Sequence, residues 1–454
     1  MLNKILEFLS ASPSFREAFE PQEKGIHALY EMAEGQRPFF AAALAKKLGR
    51  PLLYIAPSDA AAMTAADDCA AWLQGGAALL PSADIHFTRG VASRENSFQR
   101  LSVLQKVKRG EIQILCASAD ALMGRMLPPA EYEKFAVQLQ EGSRMDPLEL
   151  IARLVKMGYE RVDMVEGKGQ CALRGAIVDA FSPAENGATR IEFWDDEVDS
   201  IRAFDPISQR SLDRMEEAVF FPAVEWLLSE EYAPSMRTMI RSQMNRLPDS
   251  LLSSDLPPLP DEEGESGEEK QPLETAGSGI SYRVYDSGIS RLFQDADQLE
   301  KGVQLPHFSL WAGALDVPCA WIWEYMDDPI IVLEEPDRIK NRCEDRFSGF
   351  GEDFKLSLER QEAVPEQGNL LRPWADIAAA LSGQCLYLLQ DMLHGMGELK
   401  PTRLTKLAGL GAPRYTARFK EMKTDLDTWR QSGYLTLLMA GGEEKKPSAT
   451  ECPF

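Results

Sequence analysis

Residues 190–213 read RIEFWDDEVDSIRAFDPISQRSLD, and the part from Arg190 to Asp205 decides the architecture of the middle of the chain. Side chains alternate faces along a strand. Ile191 and Phe193 therefore point into a core, while Arg190, Glu192 and Trp194 point the other way, and Asp195-Asp196 makes the turn into a second strand. The same period of two runs outward from Tyr159 to Pro222 through VDMVEG, GAIVDAFSP and EAVFFPA, broken by Gly, Pro and Asp. That pattern predicts a compact, largely antiparallel β domain over 141–222. It is entered through a helix at Asp146-Pro147-Leu148-Glu149, where Asp caps, Pro takes the first helical position and Glu149 closes a capping box. Ile151, Leu154 and Val155 line that helix's buried face, and Gly158 ends it.

An outward Trp beside an Arg and acids is unusual on a small β domain. Trp and Arg dominate binding hot spots, each costing ~2 kcal/mol or more when truncated. Arg174, on the preceding strand, adds a second guanidinium to the same face. The pattern admits two readings: a protein-docking patch of mixed charge, or a Trp covered by a neighbouring domain.

On either side of the β domain the chain changes to an α/β pattern. Pro51–Ala56 (PLLYIA) is a continuous apolar run, the mark of a strand buried on both faces. Ser58 caps a helix to Leu73, Ala77–Leu80 is a short strand, and Ser93 caps a helix striped with Phe98, Leu101, Leu104 and Val107 and closed by Gly110. Ile112–Ala117 is a further strand, as are Asp328–Glu335 and Cys385–Leu389, and Val224–Arg246 is helical. Strand–helix alternation predicts a parallel sheet flanked by helices, with 1–140 as its first part and 223–400 as its second. Met1–Phe15 opens the chain as an amphipathic helix burying Ile5, Leu6, Phe8 and Leu9. Residues 252–280, with paired prolines and a run of acids, form a disordered tether. Residues 401–454 are expected to form a partial α/β domain, with a helix at 415–432 and a strand at Tyr434–Met439. No helix follows that strand, so the chain reads as part of a longer protein.

Length and charge bound the function. At 454 residues the chain holds about three domains. A net charge of −22 opposes a general nucleic-acid-coating role, since such affinity comes from Lys and Arg displacing counterions. No apolar run approaches the ~20 residues that span a bilayer. Seven cysteines are scattered without CxxC, which predicts reduced thiols in a cytoplasmic protein and no zinc site.

Catalytic patterns are sparse. A phosphate loop needs GxxxxGK[ST], so that backbone N–H groups cradle phosphates while Lys and a hydroxyl serve the γ-phosphate and magnesium. The loop in the expected place, ahead of the strand at 51–56, carries Glu34-Gly35-Gln36-Arg37 instead, without the Lys or the hydroxyl. Gly167-Lys168-Gly169 is a turn between strands, and Glu334-Glu335 ends a strand as a metal-binding acidic pair would. The four histidines are isolated, and GxSxG and HExxH are absent. Asp195 and Asp196 are adjacent carboxylates, but adjacency says little in a chain with 71 acids. No catalytic residue, metal site or cofactor is assigned.

With these residues in view the sequence resembles a known family. GYERVDMVEGKGQCALRGAIVDAFSP (158–183), RIEFWDDEVDSIRAFDPISQRSLD (190–213) and EEAVFFPA (216–223) are similar to the inserted domain shared by excinuclease B and the bacterial transcription-repair coupling factors. LLYIAPSDAAA (52–62), ASRENSFQRLSVL (92–104) and PIIVLEEPDRI (329–339) resemble the degenerate helicase-like portion of the coupling factors. Excinuclease B has an intact phosphate loop and a Tyr-rich hairpin, whereas ADALMGRMLPPAEYEKF follows residue 117 here.

The resemblance implies a degenerate helicase-like (RecA-like) α/β domain with an inserted domain that binds excinuclease A. By motif, the contacts fall on Arg174, Arg190 and Trp194, with Asp195, Asp196 and Glu197 beside them; Phe is commoner in the family where Trp194 stands. The family displaces stalled RNA polymerase with an ATP- and magnesium-dependent DNA motor, and polymerase and DNA would be engaged by domains downstream of this region. Two rival functions are a divergent excinuclease-B-like ATPase using the Glu34–Arg37 loop, and a sensor of damaged DNA.

Overall fold

The computed structural model describes residues 12–20, 23–85, 94–227, 233–245, 295–299, 308–314, 319–360, 362–394, 397–409 and 418–434, together with isolated positions and short pairs. A seven-stranded, wholly parallel sheet runs in the order β17 (Arg403–Lys406), β1 (Gly25–Tyr30), β16 (Cys385–Leu389), β15 (Ile330–Glu334), β2 (Leu52–Ala56), β4 (Ile114–Ser118), β3 (Ala77–Leu80). Its central strands are mostly apolar because both faces are covered. Leu53, Ile55, Ile331, Leu333, Leu386 and Leu388 point into one core, and Leu52, Tyr54, Ile330, Val332, Cys385 and Tyr387 into the other. Each such side chain contributes roughly 1.5–3 kcal/mol by leaving water.

Helix α1 (Gln36–Leu48) follows β1 and buries Ala41–Ala45; α2 (Asp59–Leu73) follows β2 and starts where Ser58 accepts from the Ala61 N–H at 3.3 Å. Helix α3 (Arg94–Lys108) carries the expected apolar stripe, while its expected cap, Ser93, lies outside the described residues.

The β domain is a six-stranded sheet ordered β11 (Ser211–Arg214), β10 (Glu197–Phe204), β9 (Ala188–Trp194), β8 (Ile177–Phe181), β7 (Gln170–Arg174), β6 (Glu160–Arg161), antiparallel except for β6 with β7. The chain enters and leaves it through an antiparallel ribbon of β5 (Val137–Gln140) and β12 (Glu217–Phe220), so the inserted unit opens at Val137, ahead of the expected 141. Helix α4 (Pro147–Lys156) covers the inner face, capped by Asp146 through the Leu148 N–H at 2.7 Å. Glu149 pairs with Arg153 at 2.7 Å rather than closing a capping box.

Helix α3 seats this domain on the α/β part. Arg100 meets Glu225 at 2.9 Å with its side chain 3 % exposed, and Arg94 meets Glu160 at 3.2 Å. Gly169, at φ 75°, lies so close to α3 that a Cβ there would come 2.6 Å from the Phe98 ring.

Four further expectations are corrected. VDMVEG is a turn, not a strand: Gln170 Oε1 accepts from the N–H groups of Glu166 and Gly167, each at 2.9 Å, and Val165 plugs a small core beside Phe204. The boundary at 400 cuts through one sheet, because β17 pairs with β1. The loop at Glu34–Arg37 follows a strand, β1, instead of preceding the first one. The helix expected over 224–246 spans only Ala233–Met244 among the described residues. Helix α6 (Phe419–Gln431) lies within the one expected at 415–432; it is preceded in chain order by α5 (Pro336–Glu359). Residues 435–439 of the strand expected at 434–439 lie outside the described residues, as do 1–4, 6–8, 10 and 11 of the opening helix, while Ser12 is extended and Pro13–Phe15 belong to a separate helix, Pro13–Ala18. Of the tether at 252–280 only a two-residue pair is described, β13 (Glu274–Thr275), which faces β14 (Ser281–Tyr282). No described helix is long and apolar enough to cross a membrane.

The β1–β17 edge carries a pH dependence. His27 is fully buried on β1, with Nε2 2.8 Å from the Thr405 hydroxyl and no partner at Nδ1. Burial, followed by nearby Arg403, lowers its pKa from 6.5 to about 4. Between those values the unfolded chain binds the extra proton, so stability is fully present above pH 6.5 and falls as pH drops towards 4, by roughly 3 kcal/mol. Urea unfolding at a series of pH values checks this: His27→Gln should flatten that part of the profile, and an unchanged slope would contradict it.

Candidate partner-docking face

The hairpin of β9 and β10 builds the site. Ile191 and Phe193 go into the inner core with Val198 and Ile201, which leaves Arg190, Glu192 and Trp194 on the outer face. The turn is tight: Trp194 pairs with Glu197, and Asp195 adopts a left-handed φ of 60°. Residues 142–145 brace it, with the Val198 N–H donating to the Ser143 carbonyl at 2.9 Å and the Met145 N–H to the Asp196 carbonyl at 2.8 Å. On this braced tip Trp194 is 80 % exposed, and Asp195, Asp196 and Glu197 are exposed beside it. Among the described residues, no neighbouring element covers Trp194.

The guanidiniums differ from expectation. Arg190 is a buried strut rather than an outward cation, only 9 % exposed. Its Nε and Nη2 donate to Asp179 at 2.7 and 2.9 Å, Nη1 donates to the Gln209 carbonyl and the Ser211 hydroxyl, and its plane lies 4.7 Å over the Phe204 ring. The Asp179 carboxylate raises its pKa further. A buried carboxylate requires this pairing, since an unpaired buried charge is strongly unfavourable. Arg174 also donates through Nη2 to Asp179, yet its side chain stays 40 % exposed. Asp179 was missed in the sequence, although an acid in the middle of Ile177–Phe181, an otherwise apolar strand, is a visible anomaly.

The Glu34–Arg37 loop is filled by its own side chains. Arg37 turns inward from the first turn of α1, donating to Glu334 at 3.0 Å, to Glu335 and to the Met32 carbonyl. Burial raises the pKa of Glu334 and Arg37 partly offsets this. Gln36 folds back to accept from the Ala33 N–H at 3.0 Å, and it packs so tightly on Gly409 that a Cβ there would collide with it. Where a phosphate loop presents a Lys and a hydroxyl, this one presents a guanidinium already paired with two carboxylates. The sequence-predicted strand-end acids and loop are thus brought together, far along the chain from the Trp194 face. Gly167-Lys168-Gly169 is a turn, as expected, with Lys168 donating to the Pro183 carbonyl at 3.1 Å. Among the described residues, no group of three His, Cys, Asp or Glu is placed to hold a metal ion.

Comparison with known proteins bears on this face. Residues 137–226 match the UvrB interaction domain family. The chain is 25 % identical over 450 residues to the transcription-repair-coupling factor of Bacillus subtilis, covering 98 % of this chain and 36 % of that protein. It is 37 % identical over 150 residues to the transcription-repair-coupling factor of Myxococcus xanthus, covering 33 % of this chain and 12 % of that one. It is 28 % identical over 169 residues to the UvrABC system protein B of Thermotoga maritima, covering 37 % and 25 % of the two chains. The chain therefore spans well under half the length of these curated relatives.

Proposed function

We propose that this chain, a region similar to the UvrB-like N-terminal part of transcription-repair coupling factors and carrying a UvrB interaction domain at residues 137–226, is a recruitment module of transcription-coupled nucleotide excision repair. Its β domain docks excinuclease A, with Trp194 as the apolar anchor, Arg174 as a cation, and Asp195, Asp196 and Glu197 as an acidic rim. The observation that carries the reading is the 80 % exposure of Trp194 on a braced hairpin, where an indole gains most by entering a partner's pocket. Contact with RNA polymerase and ATP-driven movement on DNA belong, in this reading, to other parts of a longer cytoplasmic protein.

In this reading the chain itself acts without bound nucleotide. Arg37, the one cation of Glu34–Arg37, is already paired with the carboxylates of Glu334 and Glu335. Titration calorimetry tests both halves. Purified excinuclease A should give saturable heat with the chain, and ATP with magnesium should give none. Absence of binding at tens of micromolar excinuclease A, or saturable ATP binding, would overturn the respective half.

A further inference from the structure

Asp179 of β8 stands opposite Arg190 of β9 on one side and Ala172 of β7 on the other, so Arg174, two residues along β7, shares its outer face. The carboxylate is 1 % exposed and receives both guanidiniums. Two cations on one anion leave Arg174, Asp179 and Arg190 with one surplus positive charge among them, and Glu192 on the same face acts on Arg190. Arg190 cannot present that charge, because its three nitrogens already donate to Asp179, Gln209 and Ser211. Arg174 spends Nη2 on Asp179 and keeps its 40 % exposed side chain at the surface, at the end of β7 nearest Glu192 and Trp194 in the register. Glu192 is held by the Ser200 hydroxyl at 3.0 Å.

We infer that Arg174 alone is the guanidinium that meets the partner, and that Asp179 and Arg190 are positioning residues that aim it. This rests on the reading that the Trp194 face docks excinuclease A. The clamp fixes the guanidinium plane in advance, which lowers the ordering cost of binding. It also selects the chemistry of the other side: a carboxylate able to accept two parallel N–H bonds from Arg174, set beside an apolar socket for the indole.

The test is a double-mutant cycle on the whole chain, read as affinity for excinuclease A across salt concentrations. Arg174→Ala should weaken binding about tenfold or more and flatten its salt dependence, with the unfolding midpoint unchanged. Arg174→Lys should recover little, because a point charge does not reproduce the fork. Asp179→Asn should weaken binding in the wild-type background and have no further effect in the Arg174→Ala background. Should Asp179→Asn unfold the domain, Arg174→Ala and Arg174→Lys still decide the matter. If Trp194→Ala abolishes binding while Arg174→Ala leaves affinity and salt dependence intact, the inference fails and the docking reading survives. If Trp194→Ala changes nothing, the docking reading itself has failed.

Discussion

Arg37→Met is expected to lower the stability of the α/β domain by about 3–5 kcal/mol, because it leaves two carboxylates in a poorly solvated site without their cation. The side chains of Glu334 and Glu335 are 11 % and 13 % exposed, and that of Arg37 is 6 % exposed. Met matches the length of the aliphatic stem, so packing changes little and the loss reports the charges. Burial already pushes the Glu334 pKa up, and without Arg37 it rises further. The variant should therefore regain part of its stability on mild acidification, as Glu334 takes up a proton in the folded state. Adding Glu334→Gln and Glu335→Gln to Arg37→Met should restore most of the rest. Urea unfolding checks both variants; a loss below ~1 kcal/mol in Arg37→Met would show that water reaches the site freely. The same experiment with ATP present should show no added stability, since a bound ligand would stabilise the fold by mass action.

Trp194→Ala is expected to weaken binding of excinuclease A by about 2–4 kcal/mol, some 30- to 1,000-fold, while leaving the unfolding midpoint within ~0.5 kcal/mol of the wild type. Nothing in the fold depends on the indole. The hairpin is held by Ile191, Phe193 and Val198 beneath it and by the backbone bonds of Ser143 and Met145 at its tip. Trp194→Phe should retain most of the affinity, because a flat ring still fills an apolar socket. Calorimetric titration of the three proteins measures the series. Comparable affinities for all three would place the interface elsewhere on the domain.

The parallel sheet was legible wherever strands are covered on both faces. LLYIA, IIVL and CLYLL are apolar without a break, as strands covered on both faces are. Strand β1 was not legible because His27 interrupts Ile26–Leu29, and only the hydroxyl of Thr405, distant in sequence, makes that burial tolerable. Strand β17, RLTK, lies at the sheet edge and needs few apolar residues, so it gives no strand signal, and the expected boundary at 400 separates it from its sheet. In the β domain, alternation alone made VDMVEG resemble a strand. The signal that breaks it is the side chain of Gln170, whose role depends on the turn it caps.

The docking face divides in the same way. Period-two alternation placed Trp194 outside and Phe193 inside, and both positions hold. It also placed Arg190 on the outer face, which is correct, but could not show that Asp179 would stand opposite it once β8 and β9 pair. Exposure depends on neighbours across strands, and a single strand's sequence does not contain them. Composition alone marks the loop at Glu34–Arg37 as unfit for phosphate, but its ion pair with Glu334 and Glu335 joins positions some three hundred residues apart.

In the docking reading, the indole at the hairpin tip enters a pocket on excinuclease A. Hydroxyl-radical footprinting of the unmodified chain, with oxidation of each tryptophan followed by mass spectrometry, tests it without altering the site. Trp194 should oxidise rapidly in the free chain and be strongly protected once excinuclease A is bound, while buried Trp311 and Trp374 stay unreactive throughout. Equal oxidation of Trp194 in the free and bound chain would contradict the account.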